Sequence, residues 1–245
     1  MIWFLVPTYN EAGNVRALAD ELRGTVLPED RHYVFSDDGS VDGTVAELHL
    51  AFEGTAYTVL TAPMNQGPGA AFQRGFDHIL AQASENDVVV TMEADRTSDI
   101  TLLPKMLAIS RLGYDMVLAS VYVQGGGFEH TTFLRRLLST VANFFFRFIY
   151  DLKVSTLSSF YRVYRVPKLQ EASLRWPRLI EENGFICMLE VLLKMLAVRA
   201  TVIEVPMVLA SNKRADRSKM KLVRTTLHYL LFLWRFRSGA VSARQ

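Results

Sequence analysis

The chain has 245 residues, 50% of them apolar and 21% charged, enough to bury a sizeable core in one domain or in one domain with an appendage. Its 27 basic and 25 acidic residues leave a net charge of +2, so whole-chain charge gives no reason to expect a nucleic-acid partner. A single cysteine, Cys187, excludes an internal disulfide and any multi-cysteine metal site, and fits a reducing compartment.

The first apolar run, 2–6, ends at Pro7 with no basic segment ahead of it. It is read as a strand rather than a signal peptide, so the mature protein is expected to start here. Further strands are expected over 32–36, 57–61, 87–92 and 115–120, with helical spacing over 12–23, 42–52, 69–83 and 101–112 and Asp42 as an N-cap. Continuous Val, Ile and Leu runs separated by helices imply a mostly parallel sheet covered on both faces, an α/β doubly wound unit over residues 1–125.

In such sheets ligands bind beyond the carboxyl ends of the strands. Four polar clusters fall there: PTYNE (7–11), DDGSVDGT (37–44), NQGPGAAFQRGF (65–76) and EADRTSD (93–99). The third lacks the last glycine of G-x-G-x-x-G and follows the third strand, so a dinucleotide fingerprint is not met, and no Walker sequence is present. What remains is a carboxylate-rich crevice. It would repel the phosphates of a nucleotide unless a hard divalent cation, Mg²⁺ or Mn²⁺, lay between them. Glu93 and Asp95 alternate along what reads as an extended segment, so both point the same way and can share one ion. The competing reading makes Asp95 a helix cap near Ile100, with Ser98 and Asp99 as rivals.

These motifs, in this order, resemble the family 2 inverting glycosyltransferases of the GT-A fold, and within them the dolichol-phosphate mannose synthase and polyprenyl-phosphate glycosyltransferase group. The resemblance implies a Rossmann-like GT-A sheet with C-terminal amphipathic helices. It implies that Pro7, Tyr9, Glu11, Asp37, Asp38 and Gly67 hold the nucleotide of a sugar donor, and that Glu93 and Asp95 stand at the D-x-D metal motif. Here that motif reads E-A-D, followed by Arg96 and Thr97 where a Leu/Gln-type pair often stands. The extra methylene of Glu keeps the charge and lengthens the reach.

The second half, 126–245, is expected to bind the acceptor within the same single domain. In TTFLRRLLSTVANFFFRFIY (131–150), arginines stand among Phe144, Phe145, Phe146 and Phe148, as suits a headgroup boundary, and TTLHYLLFLWRFRSG (225–239) repeats the theme. The apolar run from Tyr229 to Trp234 is far short of the roughly 20 residues a membrane-spanning helix needs, so the chain is expected to lie on a membrane surface. Packing of both helices on the sheet, or against a second copy, is the other reading.

By the resemblance, Arg135 and Arg136 contact a polyprenyl phosphate acceptor with Ser139 one turn on, and Val121 stands where the group's S-R-Y motif carries a basic residue. SSFYRVYR (158–165) resembles the segment before a short strand. Glu190 matches the G-[YF]-x-x-x-x-E helix, or else forms an i,i+4 pair with Lys194. NKRADRSKMK (212–221) resembles the loop that closes over the diphosphate, with Lys213, Arg214, Ser218 and Lys219 as its contacts, or else is a solvated charge run.

A phosphate monoester is already anionic, so no catalytic base is required, and a single in-line displacement inverts the anomeric centre. The expected activity is transfer of a hexose, mannose from GDP-mannose foremost, with Asp95, Arg135, Arg136 and Lys219 as the catalytic set. The expected setting is the cytoplasmic face of a membrane, with a membrane-protein partner or a homo-oligomer as further partners. The alternatives are another donor such as UDP-glucose, a hydroxyl acceptor with Glu190 or Asp99 as base, and a non-catalytic nucleotide-sugar-binding protein.

Overall fold

The computed structural model describes residues 1–27, 29–129 and 153–210. The segments 131–150, 225–239 and 212–221, read above as two helices and a loop, lie outside the described residues, and with them Arg135, Arg136, Ser139, Lys213, Arg214, Ser218 and Lys219.

The chain alternates β1 (Ile2–Thr8), α1 (Ala12–Gly24), β2 (Arg31–Asp37), α2 (Thr44–Phe52), β3 (Tyr57–Thr61), α3 (Pro68–Leu80) and β4 (Val88–Thr91). A single 3₁₀ turn (Ile100–Leu102) then leads into α4 (Leu103–Arg111), β5 (Met116–Ser120) and β6 (Gly127–Glu129). Past the undescribed segment come β7 (Arg162–Arg165), α5 (Val166–Arg175), α6 (Cys187–Ala197), β8 (Val202–Pro206) and β9 (Val208–Ala210).

The main sheet runs β3-β2-β1-β4-β7-β5-β8, and β6 pairs with β9 apart from it. All its pairings are parallel except those of β7, which runs antiparallel between β4 and β5. The second half of the chain therefore supplies an interior strand and an edge strand to the sheet that the first half begins.

Alternation along the strands feeds two cores. Trp3, Leu5, Val34, Val89 and Leu118 pack under α3 and α6, with Phe72, Phe76 and Leu189. Phe4, Val6, Tyr33, Phe35 and Val90 pack under α1, α2 and α4, with Leu18, Phe52 and Met106. In α1 the buried Val15, Leu18, Ala19 and Leu22 follow the 3, 4, 7 spacing of a one-faced helix. In α6 every residue from Cys187 to Met195 is buried, as for a helix enclosed on all sides.

One local expectation is corrected, and the competing cap reading resolves onto Asp99. Gly43, not Asp42, is the N-cap of α2; Asp42 sits one residue earlier, where it accepts from the Thr44 N–H (3.0 Å) and the Ala12 N–H (3.3 Å) and so joins two loops. The 3₁₀ turn before α4 is capped by Asp99, whose side chain accepts from the Thr101 N–H at 3.1 Å, so Asp95 is not its cap. Among the described residues no helix is long and apolar enough to cross a membrane.

Candidate active site

The parallel strands deliver their following loops to one rim, and hydrogen bonds stitch those loops together. Asn10, at φ +51°, donates its N–H to Ser40 Oγ (2.9 Å) and accepts from the Val41 N–H at its side chain (2.9 Å). The Glu11 N–H reaches Thr44 Oγ1 (2.7 Å), while its carboxylate accepts from Asn14 Nδ2 (2.6 Å). Pro7 lies in β1 opposite Ser36, and Tyr9 follows it half-buried.

Asp37 and Asp38 are both buried. Asp37 accepts from the Ser40 N–H (3.0 Å), the Ser40 hydroxyl and the Thr8 hydroxyl (3.4 Å). Asp38 reaches across to the third loop and accepts from the N–H groups of Gln66 (3.0 Å) and Gly67 (2.7 Å). Burial raises the Asp38 carboxyl above its ordinary range against those two donors and the nearby Arg74 charge. Arg74, on α3, braces the end of β2 by donating to Ser36 Oγ (3.1 Å) and the Asp37 carbonyl (2.9 Å). The two aspartates thus set the mutual position of the first three loops.

Gly67 and Gly69 have a steric reason to be glycine. Gly67 sits at φ +100°, and a Cβ there would strike the Asn183 carbonyl. At Gly69 it would strike the Glu182 carbonyl and lie 2.9 Å from Asn183 Cα. The start of α3 therefore packs backbone to backbone on 182–183, and the Gly69 N–H donates to the Asn183 carbonyl at 2.9 Å.

That supporting segment is itself held by Glu190, one of whose oxygens accepts from the N–H groups of Glu181 (2.9 Å) and Glu182 (3.0 Å). The other takes Lys194 Nζ at 2.7 Å, and Lys194 also donates to the Arg178 carbonyl (2.9 Å). Both side chains are only 4% exposed. The i,i+4 pair read from the sequence is present, as a buried strut under the rim rather than a surface contact.

At the end of β4 the expected pleat does not continue. Residues 94 and 95 form a turn and Arg96 takes φ +63°, so Glu93 and Asp95 are linked by a turn and do not alternate along an extended segment. The reason lies in local bonds. Asp95 accepts from the Thr97 N–H (3.1 Å) and hydroxyl (2.7 Å), Ser98 Oγ donates to Glu93, and Arg96 swings away to Glu21 on α1 (2.6 Å). Burial first, and then the charge of Asp95, raise the Glu93 carboxyl above its ordinary range; the Ser98 hydroxyl and the N–H groups of Glu93 and Phe160 ease the shift.

Among the described residues no group of three or more His, Cys, Asp or Glu is placed to hold a metal unaided. The Glu93–Asp95 pair suits a hard cation that completes its shell with phosphate oxygens and water, and such a cation would relieve the repulsion between the two carboxylates.

The sequence named Thr97, Ser98 and the 158–165 segment but not what they touch: Thr97 and Ser98 bond the two carboxylates, and Arg162 lies in the strand paired with β4. Arg162 is wholly buried in β7 and donates to the carbonyls of Leu157 (2.8 Å), Ser159 (2.7 Å) and Met188 (2.7 Å), which fixes the strand that backs Glu93. Val121, past β5, is half-buried, and the Tyr122 N–H beside it donates to Ser120 Oγ (3.3 Å).

Comparison with known proteins adds the family. The glycosyl transferase family 2 model matches residues 3–172. The polyprenol monophosphomannose synthase of Mycolicibacterium smegmatis is 30% identical over 205 residues, 82% of this chain and 74% of that protein. The dolichol-phosphate mannosyltransferase of Pyrococcus furiosus is 28% identical over 94% of this chain and 62% of its own length. For the undecaprenyl-phosphate mannosyltransferase of Micrococcus luteus the figures are 28%, 88% and 86%.

Among solved structures, glucosyl-3-phosphoglycerate synthase from Mycobacterium tuberculosis, in complex with Mn²⁺, UDP and its product, aligns with a TM-score of 0.67 at 17% identity over 95% of this chain and 79% of that one, which shows the shared fold. The family match runs from β1 into α5 and so takes in the whole rim described above: the chain is a glycosyltransferase and belongs to glycosyl transferase family 2.

Proposed function

We propose that the chain transfers mannose from GDP-mannose to a polyprenyl phosphate, with inversion, at the cytoplasmic surface of a membrane. The observation that carries the reading is the meeting of Glu93 and Asp95 on the carboxyl rim of the sheet, beside loops tied together by Asp37 and Asp38. The relatives' names, all lipid-phosphate mannosyl transfer, support the donor sugar and the acceptor class.

In this reading Pro7, Tyr9, Glu11 and Gly67 form the nucleotide pocket, with Asp37 and Asp38 fixing its loops. Glu93 and Asp95 would hold a Mg²⁺ or Mn²⁺ ion, which neutralises diphosphate charge when bound. Arg135, Arg136 and Ser139 receive the acceptor phosphate, and Lys213, Arg214, Ser218 and Lys219 cover the leaving diphosphate. The two halves, 1–125 and 126–245, thus divide the labour of donor and acceptor within one sheet.

A phosphate acceptor needs no proton removed at neutral pH, so the work of the protein is alignment and stabilisation of the leaving group. The geometry favours this over a hydroxyl acceptor, because both candidate bases are engaged: Glu190 by Lys194 and two N–H groups, Asp99 by Thr101. Transfer from UDP-glucose remains a second reading, suggested by the structural neighbour crystallised with Mn²⁺ and UDP-glucose.

Asp95→Ala tests the assignment. Metal-dependent binding of the nucleoside diphosphate, followed by calorimetry, should be lost while the melting temperature stays near that of the parent. Binding that is unchanged would remove Asp95 from the metal site.

A further inference from the structure

Among the described residues, three other than glycine take a positive φ: Asn10, Arg96 and Arg199. Two have an ordinary reason. Asparagine tolerates the left-handed region better than other side chains, and Arg199 follows the end of α6, where helices commonly close in this conformation. Arg96, at φ +63°, has neither reason, and it stands next to Asp95. Its backbone is strained at the turn that links Glu93 to Asp95.

What the strained turn delivers is an ion pair. Arg96 donates from Nε (3.0 Å) and Nη2 (2.6 Å) to one oxygen of Glu21, and both side chains are half-buried. Glu21 stands on α1 beside the buried Leu22 and three residues after the buried Leu18, so the core fixes its place. The turn itself is already held by other bonds, from Thr97 to Asp95 and from Ser98 to Glu93. The pair with Glu21 therefore decides where the guanidinium lies rather than whether the turn closes. An arginine adjacent to one carboxylate and three residues from another is a strong competitor for both, because its planar fork matches a carboxylate. Settled there, it would cover the oxygens a divalent ion needs and cancel part of the charge that attracts it.

We propose that Glu21 is a positioning residue for the metal site: by drawing the Arg96 guanidinium out to α1, it leaves Glu93 and Asp95 open to a divalent cation. The inference rests on the metal reading of Glu93 and Asp95 given above. It also accounts for a cation directly after the E-A-D sequence, since that charge is turned away from the carboxylates.

The test is a cycle of Glu21→Gln, Arg96→Leu and the double variant, with Mn²⁺ binding in the presence of GDP or UDP followed by electron paramagnetic resonance of the free ion, and thermal unfolding measured alongside. Both single variants break the same ion pair, but only Glu21→Gln releases a guanidinium. The expected result is a dissociation constant for Mn²⁺ raised about 5-fold or more in Glu21→Gln, the scale of one partly exposed ion pair that the metal must displace. Arg96→Leu and the double variant should bind Mn²⁺ at least as tightly as the parent. Mn²⁺ affinity in Glu21→Gln equal to the parent's would overturn the inference. So would an Arg96→Leu variant as weak as Glu21→Gln, or a Glu21→Gln protein that no longer folds, either of which makes the pair a structural prop. An equal loss from Glu21→Gln with and without Arg96 would also overturn it, by reducing Glu21 to a long-range charge. If the parent protein, folded by its melting curve, binds no Mn²⁺ with either nucleotide, the metal reading itself fails and the inference with it.

Discussion

Replacing Glu190 by Gln removes the charge that balances Lys194 in a place where neither side chain is more than 4% exposed. Surface pairs at i,i+4 contribute only a few tenths of a kcal/mol. Breaking a buried pair from one side is different, because the remaining charge is stranded in low dielectric at a cost of about 3–5 kcal/mol. For a domain of this size each kcal/mol lowers the melting temperature by roughly 2–4 °C, so Glu190→Gln should lower it by about 6–20 °C.

Adding Lys194→Met removes the stranded charge. It leaves weaker acceptance of the Glu181 and Glu182 N–H groups and an Arg178 carbonyl without its donor, so the double variant should lie within about 1–3 kcal/mol of the parent. Urea unfolding of the parent, both single variants and the double variant gives the coupling directly. A loss below about 1 kcal/mol in Glu190→Gln, or a double variant as unstable as the single, would refute the buried-strut account.

The strut acts on the rim through backbone contacts, which Gly69→Ala should disturb without touching any charge. The new Cβ meets the Glu182 carbonyl and Asn183 Cα, so about 1–3 kcal/mol of stability and part of the nucleotide affinity should be lost. Gly24→Ala, with nothing within 4 Å, serves as the control and should be neutral or stabilising.

A pH effect is expected at Asp87, where burial pushes the carboxyl upward but hydrogen bonds from the Met1 ammonium, Trp3 Nε1 and the Ser84 N–H together hold it below its ordinary value. A lowered folded-state value stabilises above the unfolded value and is lost as pH falls through the folded one. The stability gap between parent and Asp87→Asn should therefore be constant from about pH 5 to 7 and shrink below about pH 4. Urea unfolding at each pH checks this, and a gap that widens on acidification contradicts it.

Much of the sheet was legible because the first five strands are apolar runs bounded by turn residues, and their observed limits differ by only a residue or two. The first strand shows why ends are harder. It was expected to stop before Pro7, yet β1 continues to Thr8, because its pairing with β4 ends at Leu5 and a missing N–H two residues later costs no ladder bond there.

β7 carries Arg162 and Arg165 and reads poorly as an interior strand; only the three backbone carbonyls around the Arg162 guanidinium make that burial affordable. β6, β8 and β9 are short, and none was singled out. The carboxylates of the rim were visible as residue types, but their geometry was not. The turn after Glu93 comes from side-chain bonds to Thr97 and Ser98 that an alternating pattern does not encode, and the burial of Glu190 with Lys194 comes from packing between distant segments.

Release of GDP from GDP-mannose, measured with and without Mn²⁺ or Mg²⁺ and with and without a short polyprenyl phosphate in detergent, tests the proposed activity most directly. The account expects turnover that requires both the ion and the lipid phosphate, with UDP-glucose a poor donor. Turnover that ignores the lipid phosphate, or that proceeds with the ion chelated, would contradict it.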